Sequence, residues 1–183
     1  MKIQNTNPHQ SNWLNGAYLF KYLLNGLNHL ITHENMKTQS SSHAIHSKNA
    51  LCIRTTSVHR LVSKLQKALL PQTTNKKDVI VNDTDKTLSV FADENILAFV
   101  IGSLLSNAVD HSSNCCIRIE TFFKENIICI RIRNNGAFIY NNQMNTLGHI
   151  GQAVRKLNGS ISYQSGENRP LTVTLSMPFI HVR

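Results

Sequence analysis

A chain of 183 residues with 41% hydrophobic content can build one packed domain, or a small domain with a helical appendage. Its net charge of +9, from 19 Lys and Arg against 10 Asp and Glu, favours nucleic acid, anionic lipid or an acidic protein surface as partner. No apolar run reaches the ~18 residues of a membrane span, the opening MKIQNTNPHQ lacks the apolar centre of a signal peptide, and Cys52, Cys115, Cys116 and Cys129 form no CxxC pair, which sets aside a zinc ribbon or a thioredoxin-type site.

These features read as a cytosolic protein with buried free thiols. Residues 1–11 are polar and rich in Asn, a flexible arm. From Trp13 to about Glu34 an apolar stripe (Leu14, Ala17, Tyr18, Leu24, Leu27, Leu30, Ile31) predicts a helix with one oily side. MKTQSSSH is a polar break. A second helical pattern runs from about Ser42 to Leu70 through Ile45, Leu51, Val58, Leu61, Val62, Leu65 and Leu69, with Pro71 as its stop. Two such helices over 12–71 make an antiparallel hairpin. Pairing two copies into a four-helix bundle would cover the apolar side, so a homodimer is expected.

Gln72–Lys77 is a polar linker to a second unit over 78–180. Asp78–Asn82 and Leu88–Ala92 read as short strands around a DTDK turn, followed by a helix over Asp93–His111. Cys115–Lys124 and Asn126–Asn134 alternate as strands, with Ile128, Ile130 and Ile132 on one side and Arg131 and Arg133 on the other. A helix from about Leu147 to Asn158 stops at Gly159, and Ser160–Ser165 and Leu171–Phe179 close as a strand pair. The order predicts an α+β chain: a helical hairpin followed by a two-layer sandwich with a mixed sheet.

Basic residues are scattered, the densest pairs being Lys76-Lys77 and Arg155-Lys156, with no basic run interleaved with aromatics. That argues against a dedicated nucleic-acid platform. His29 and His33, with His43 and His46, flank the hairpin loop and could together hold zinc. Polar helix faces also carry histidines without any metal, which is the plainer reading.

The stretch FADENILAFVIGSLLSNAVDHS (Phe91–Ser112) has a helical apolar period, an acidic start, and polar Asn107 and His111 four apart on its last turns. It resembles the N-box helix of the histidine-kinase-like ATPase superfamily, where a pattern NLLxNAxxH/Y holds ATP-bound magnesium through its second Asn. The resemblance places Asn107 at that Asn and His111 at the closing position. Ser103 replaces the first Asn, and Asp110 the usual basic residue. In that superfamily the later strand runs into Asp-x-Gly-x-Gly, whose Asp meets the adenine amino group. Here the segment is Asn134-Asn135-Gly136-Ala137-Phe138: Asn134 keeps a carbonyl acceptor without the charge, and Phe138 stands at the second Gly. The superfamily's ATP lid, closed by Gly-x-Gly, shrinks to IYNNQMNT with a single Gly148 after it.

SVHRLVSKLQKALL is similar to the second dimerisation helix of two-component sensor kinases, and NGSISYQSGENRPLTVTLSMPF to their closing strands. The resemblance covers roughly 12–180. The usual phosphoacceptor pair followed by Pro is missing; His29 and His33 remain as candidates, and His33-Glu34 imitates the pair without the Arg-Thr-Pro. The resemblance therefore implies a degenerate histidine kinase, similar to bacterial histidine phosphotransferases. It would bind ATP and magnesium weakly or not at all, and serve as adaptor or phosphotransfer partner of a response regulator receiver domain or a sensor kinase. Lys64 and Lys67, three apart, are the candidate docking residues for an acidic receiver. The alternatives are an active sensor kinase with a divergent pocket, favoured by Asn107, and a basic nucleic-acid-binding dimer.

Overall fold

The computed structural model describes residues 52–135, 144–166 and 169–179. Its first element is a strand, β1 (Ile53–Ser57), paired antiparallel with β3 (Ser89–Asp93) from Ile53↔Asp93 to Ser57↔Ser89. Helix α1 (Val58–Lys76) follows directly, with the Ser57 hydroxyl accepting from the Arg60 N–H as N-cap. This corrects the sequence reading, which ran one helix from Ser42 to Leu70 as the second arm of a dimerisation hairpin. IRTTS carries three β-branched residues, which favour a strand. The stripe Val58, Leu61, Val62, Leu65, Leu69 looks the same whether it faces a partner helix or the chain's own sheet. Here it is buried in one core with Ile80, Leu97, Ile101 and the isoleucines of the main sheet. Residues 12–51 of the expected hairpin, the 1–11 arm and the dimer seam lie outside the described residues.

Pro71 lies within α1 instead of ending it. Buried Leu69 and Thr73 hold the helix to the core on both sides of it, and the Thr73 and Thr74 hydroxyls both donate to the Leu70 carbonyl. The helix stops at Lys77 in the left-handed conformation (φ 58°), its N–H returning to the Thr74 carbonyl.

The main sheet has five strands in the order β2-β4-β5-β7-β6, with β2 (Val79–Asp83), β4 (Cys116–Lys124), β5 (Ile127–Asn134), β6 (Ser160–Gly166) and β7 (Arg169–Pro178). β2 runs parallel to β4 and the other pairs are antiparallel, so the sheet is mixed, as expected. Helices α2 (Glu94–Asp110) and α3 (Met144–Lys156) pack with α1 against its apolar face. The alternation of β5 holds: Ile128, Ile130 and Ile132 are buried, while Arg131 and Arg133 meet Glu120 on the outer face. α1 also satisfies the edge of β2, since Gln66 Nε2 donates to the Ile80 carbonyl at 2.7 Å.

Asn158 takes the positive φ after α3, and Gly159 is needed because a Cβ there would lie 2.7 Å from the Ser176 carbonyl oxygen. The cysteines are free, but only Cys129 is buried; Cys52 is exposed, and Cys115 and Cys116 sit half-buried where β4 begins. Among the described residues no helix is long and apolar enough to cross a membrane.

Candidate functional site

The site is built on α2. Asp93 caps its start, with Oδ1 accepting from the Asn95 and Ile96 N–H groups and Oδ2 from Cys52 N–H. Eleven of its 17 residues are buried, so the helix lies deep between sheet and neighbours. Its far end is fastened by groups the sequence reading did not single out. Lys76 Nζ donates to the Val109 and Asp110 carbonyls, a cation on a helix C-terminus. Ser112 Oγ donates to buried Asp78 Oδ2 at 2.7 Å, and Asp78 Oδ1 accepts from Cys115 N–H. The signal was a set of polar residues on either side of the helix in the sequence, Lys76 and Asp78 before it and Ser112 after.

That fastening positions Asn107. It faces Asn134 across a crevice walled by Leu104 and Ala108 of α2, Ile132 of β5, and Leu171 and Val173 of β7. Asn134 is 2% exposed. Neighbouring Asn135 fixes the end of β5 by accepting from Cys116 N–H at 2.7 Å. Ser103, one turn before Asn107, is buried, and its Oγ has no hydrogen-bond partner among the described residues. His111 is the C-cap of α2, with its N–H on the Asn107 carbonyl at 3.3 Å. The structure thus brings Asn107 and Asn134 together and places Ser103 and His111 one turn to either side of Asn107.

The volume of the crevice is about 10 Å³. That is room for one water between these side chains. Asn134 offers no negative charge to an adenine amino group. α3 begins at Met144, three residues before the expected Leu147, so Gly148 is its fifth residue and does not open the helix. Between Asn135 and Met144 the chain has only the eight residues 136–143. Gly136 and Phe138 fall in that segment, outside the described residues.

His29, His33, His43 and His46 also lie outside them, and no group of three or more His, Cys, Asp or Glu that could hold a metal occurs among the described residues. Lys64 and Lys67 are exposed on α1, in the sandwich and not on a hairpin.

Solved structures of similar fold were found. The histidine kinase AdeS of Acinetobacter baumannii superposes with a TM-score of 0.68 at 18% identity, over 98% of this chain and 88% of its own. The cytoplasmic segment of histidine kinase QseC gives 0.64 at 10% identity, over 86% and 95%. The catalytic domain of histidine kinase ThkA, in a nucleotide-free form, gives 0.62 at 16% identity, over 69% and 95%. This chain has the histidine-kinase-like ATPase fold. No protein-family model matches it, and no curated sequence does. On this fold, α2 is the helix whose sequence resembles the N-box, and α1 is a helix of the ATPase-like sandwich. The apolar period of SVHRLVSKLQKALL, which resembles a dimerisation helix, is buried here from Val58 to Leu69 in the sandwich core.

Proposed function

We propose that this protein is a two-component signalling protein that keeps the histidine-kinase-like fold with its nucleotide site closed. It acts as an adaptor or phosphotransfer partner of a response regulator. The observation that carries this reading is the crevice of about 10 Å³ between Asn107 and Asn134. The neutral Asn134, Ser103 in place of an Asn, and the eight-residue segment before α3 support it. Loss of a charge-assisted hydrogen bond at Asn134 alone costs roughly 1.5–3 kcal/mol, or about one to two decades of affinity. Lys64 and Lys67 are proposed to meet an acidic receiver domain, and residues 12–51 to supply a dimer contact.

Calorimetry with magnesium-ATP on the full chain tests the closed site. No binding tighter than about millimolar is expected. Binding tighter than about 10 micromolar that Asn107→Ala abolishes would overturn the reading and establish an active kinase with a divergent pocket.

A further inference from the structure

Helix α1 carries Arg60, Lys64, Lys67 and Lys76 and no Asp or Glu along its 19 residues. Arg60, Lys64 and Lys67 follow i, i+4, i+7 and so form one stripe, about 10 Å long along the axis. It lies opposite the buried row Val58, Leu61, Val62, Leu65 and Leu69. All three side chains are exposed, Lys64 to 71%. A solvated helix face gains stability by interspersing acids with bases at these spacings, and like charges there repel. Arg60 also sits in the first turn, where the helix dipole disfavours a cation. The stripe is therefore a local electrostatic cost that a negative partner would relieve.

One acidic group among the described residues already touches it. Glu94, the first residue of α2, accepts from Lys64 Nζ at 3.2 Å and from Arg54 Nη2 at 2.8 Å. The hydrogen bond and charge of Lys64, with Arg54 beside it, hold the Glu94 carboxyl below its ordinary range against a smaller opposing effect of burial. Arg60 and Lys67 have no ion pair among the described residues. Exposed Leu70 and half-buried Pro71 continue the stripe as an apolar end.

We propose that Arg54, Arg60, Lys64 and Lys67 form a docking surface for an acidic protein segment, and that Glu94 is a resident competitor which incoming carboxylates displace from Lys64 and Arg54. This deepens, and rests on, the reading of Lys64 and Lys67 as docking residues. Charge complementarity sets the sign of the partner, and the dimensions set its class. A duplex contact typically engages six to ten phosphates, whereas the stripe offers three or four cations in a single row. A membrane surface calls for an apolar face, and Leu70 alone does not make one. A short acidic segment matches both the row and its apolar end. Glu94 gives the surface a property that a general basic charge lacks: removing an acid here strengthens binding only where that acid competes.

The test uses the full chain and a labelled acidic peptide with Glu at i, i+4 and i+7, read by fluorescence anisotropy. Arg60→Glu with Lys64→Glu should weaken binding about tenfold or more, and Glu94→Gln should tighten it about three-fold. Two controls carry the same charge changes elsewhere: Lys86→Glu with Lys124→Glu, and Asp110→Asn. Each should stay within about two-fold of wild type, with unfolding midpoints confirming that every variant is folded. The proposal is overturned if Glu94→Gln binds no tighter than Asp110→Asn, or if the control pair loses as much as the stripe pair. It is also overturned if duplex DNA or phosphatidylserine vesicles occupy the stripe more tightly than the peptide. If the peptide results hold and no receiver domain binds, the surface stands and the receiver-domain reading falls.

Discussion

At the scale of single residues, the candidate site holds a polar group placed where its polarity is not used. Ser103 is buried, with its hydroxyl lacking a hydrogen-bond partner among the described residues. Burying such a group costs about 1–3 kcal/mol relative to an apolar side chain of similar shape. Ser103→Ala should therefore be neutral to stabilising by up to about 1 kcal/mol, raising the thermal midpoint by a few degrees; a clear loss in calorimetry would show that the hydroxyl is engaged after all. Glu94 makes the opposite case, a half-buried group whose polarity is used in two ion pairs. Its carboxyl is lowered by the hydrogen bond from Lys64 and the charge of Arg54. A lowered carboxyl contributes stability that is present above its unfolded pKa and lost as pH falls through the folded one. Wild type should thus exceed Glu94→Gln by about 0.2–1 kcal/mol near neutrality. The two should converge as the pH drops below the usual carboxylate range, and unfolding curves from neutral to strongly acidic pH check this. A constant difference at every pH would mean that packing, not charge, separates them.

Among the elements, α1 shows how tertiary packing overrides a local stop signal. Pro71 removes one backbone donor and clashes with the preceding turn, which costs a helix interior about 3 kcal/mol. The helix still continues to Lys76, because buried Thr73 and the bond from Lys76 Nζ to the end of α2 anchor its last turn. Pro71→Ala restores an N–H facing the Lys67 carbonyl and should stabilise the fold by about 1 kcal/mol or more, measured as a higher denaturant midpoint with an unchanged slope. No gain would mean that the helix is already distorted at that turn. The strand β1 was missed for a related reason. Its five residues form a two-stranded ribbon whose partner lies 32 to 40 positions further on, from Ser57↔Ser89 to Ile53↔Asp93, and their β-branched side chains are a weak signal beside the long apolar period that follows. α2 was legible because Asp93 caps it and its apolar period fills the core on nearly all sides.

For the molecule as a whole, what could be read early was whatever has a short sequence period. The alternation of β4 and β5 and the amphipathic α2 gave the mixed sheet and its helical layer to within a few residues. Asn107 and Asn134 were legible as a pair only through the resemblance, since 27 positions separate them and only the packing of α2 on β5 makes them neighbours. The far wall of the crevice was not legible, because Leu171 and Val173 arrive from β7. The apolar stripe of α1 was legible too, but its partner was not: periodicity states that a face is buried and not what buries it. That distinction decides how the protein assembles. Leu65 is 6% exposed within the sandwich core, so it cannot also serve a dimer seam. A charge placed there has no hydrogen-bond partner and little water. Leu65→Glu should unfold the described fold, with loss of near-ultraviolet circular dichroism, instead of yielding folded monomers. Leu65→Ala should cost about 2–5 kcal/mol. If the chain dimerises through its 12–51 segment, Leu24→Glu should halve the mass seen in sedimentation while leaving the unfolding of the sandwich unchanged. A folded monomer from Leu65→Glu would restore the dimer seam to residues 58–70; a Leu24→Glu chain that sediments like wild type would remove it from 12–51.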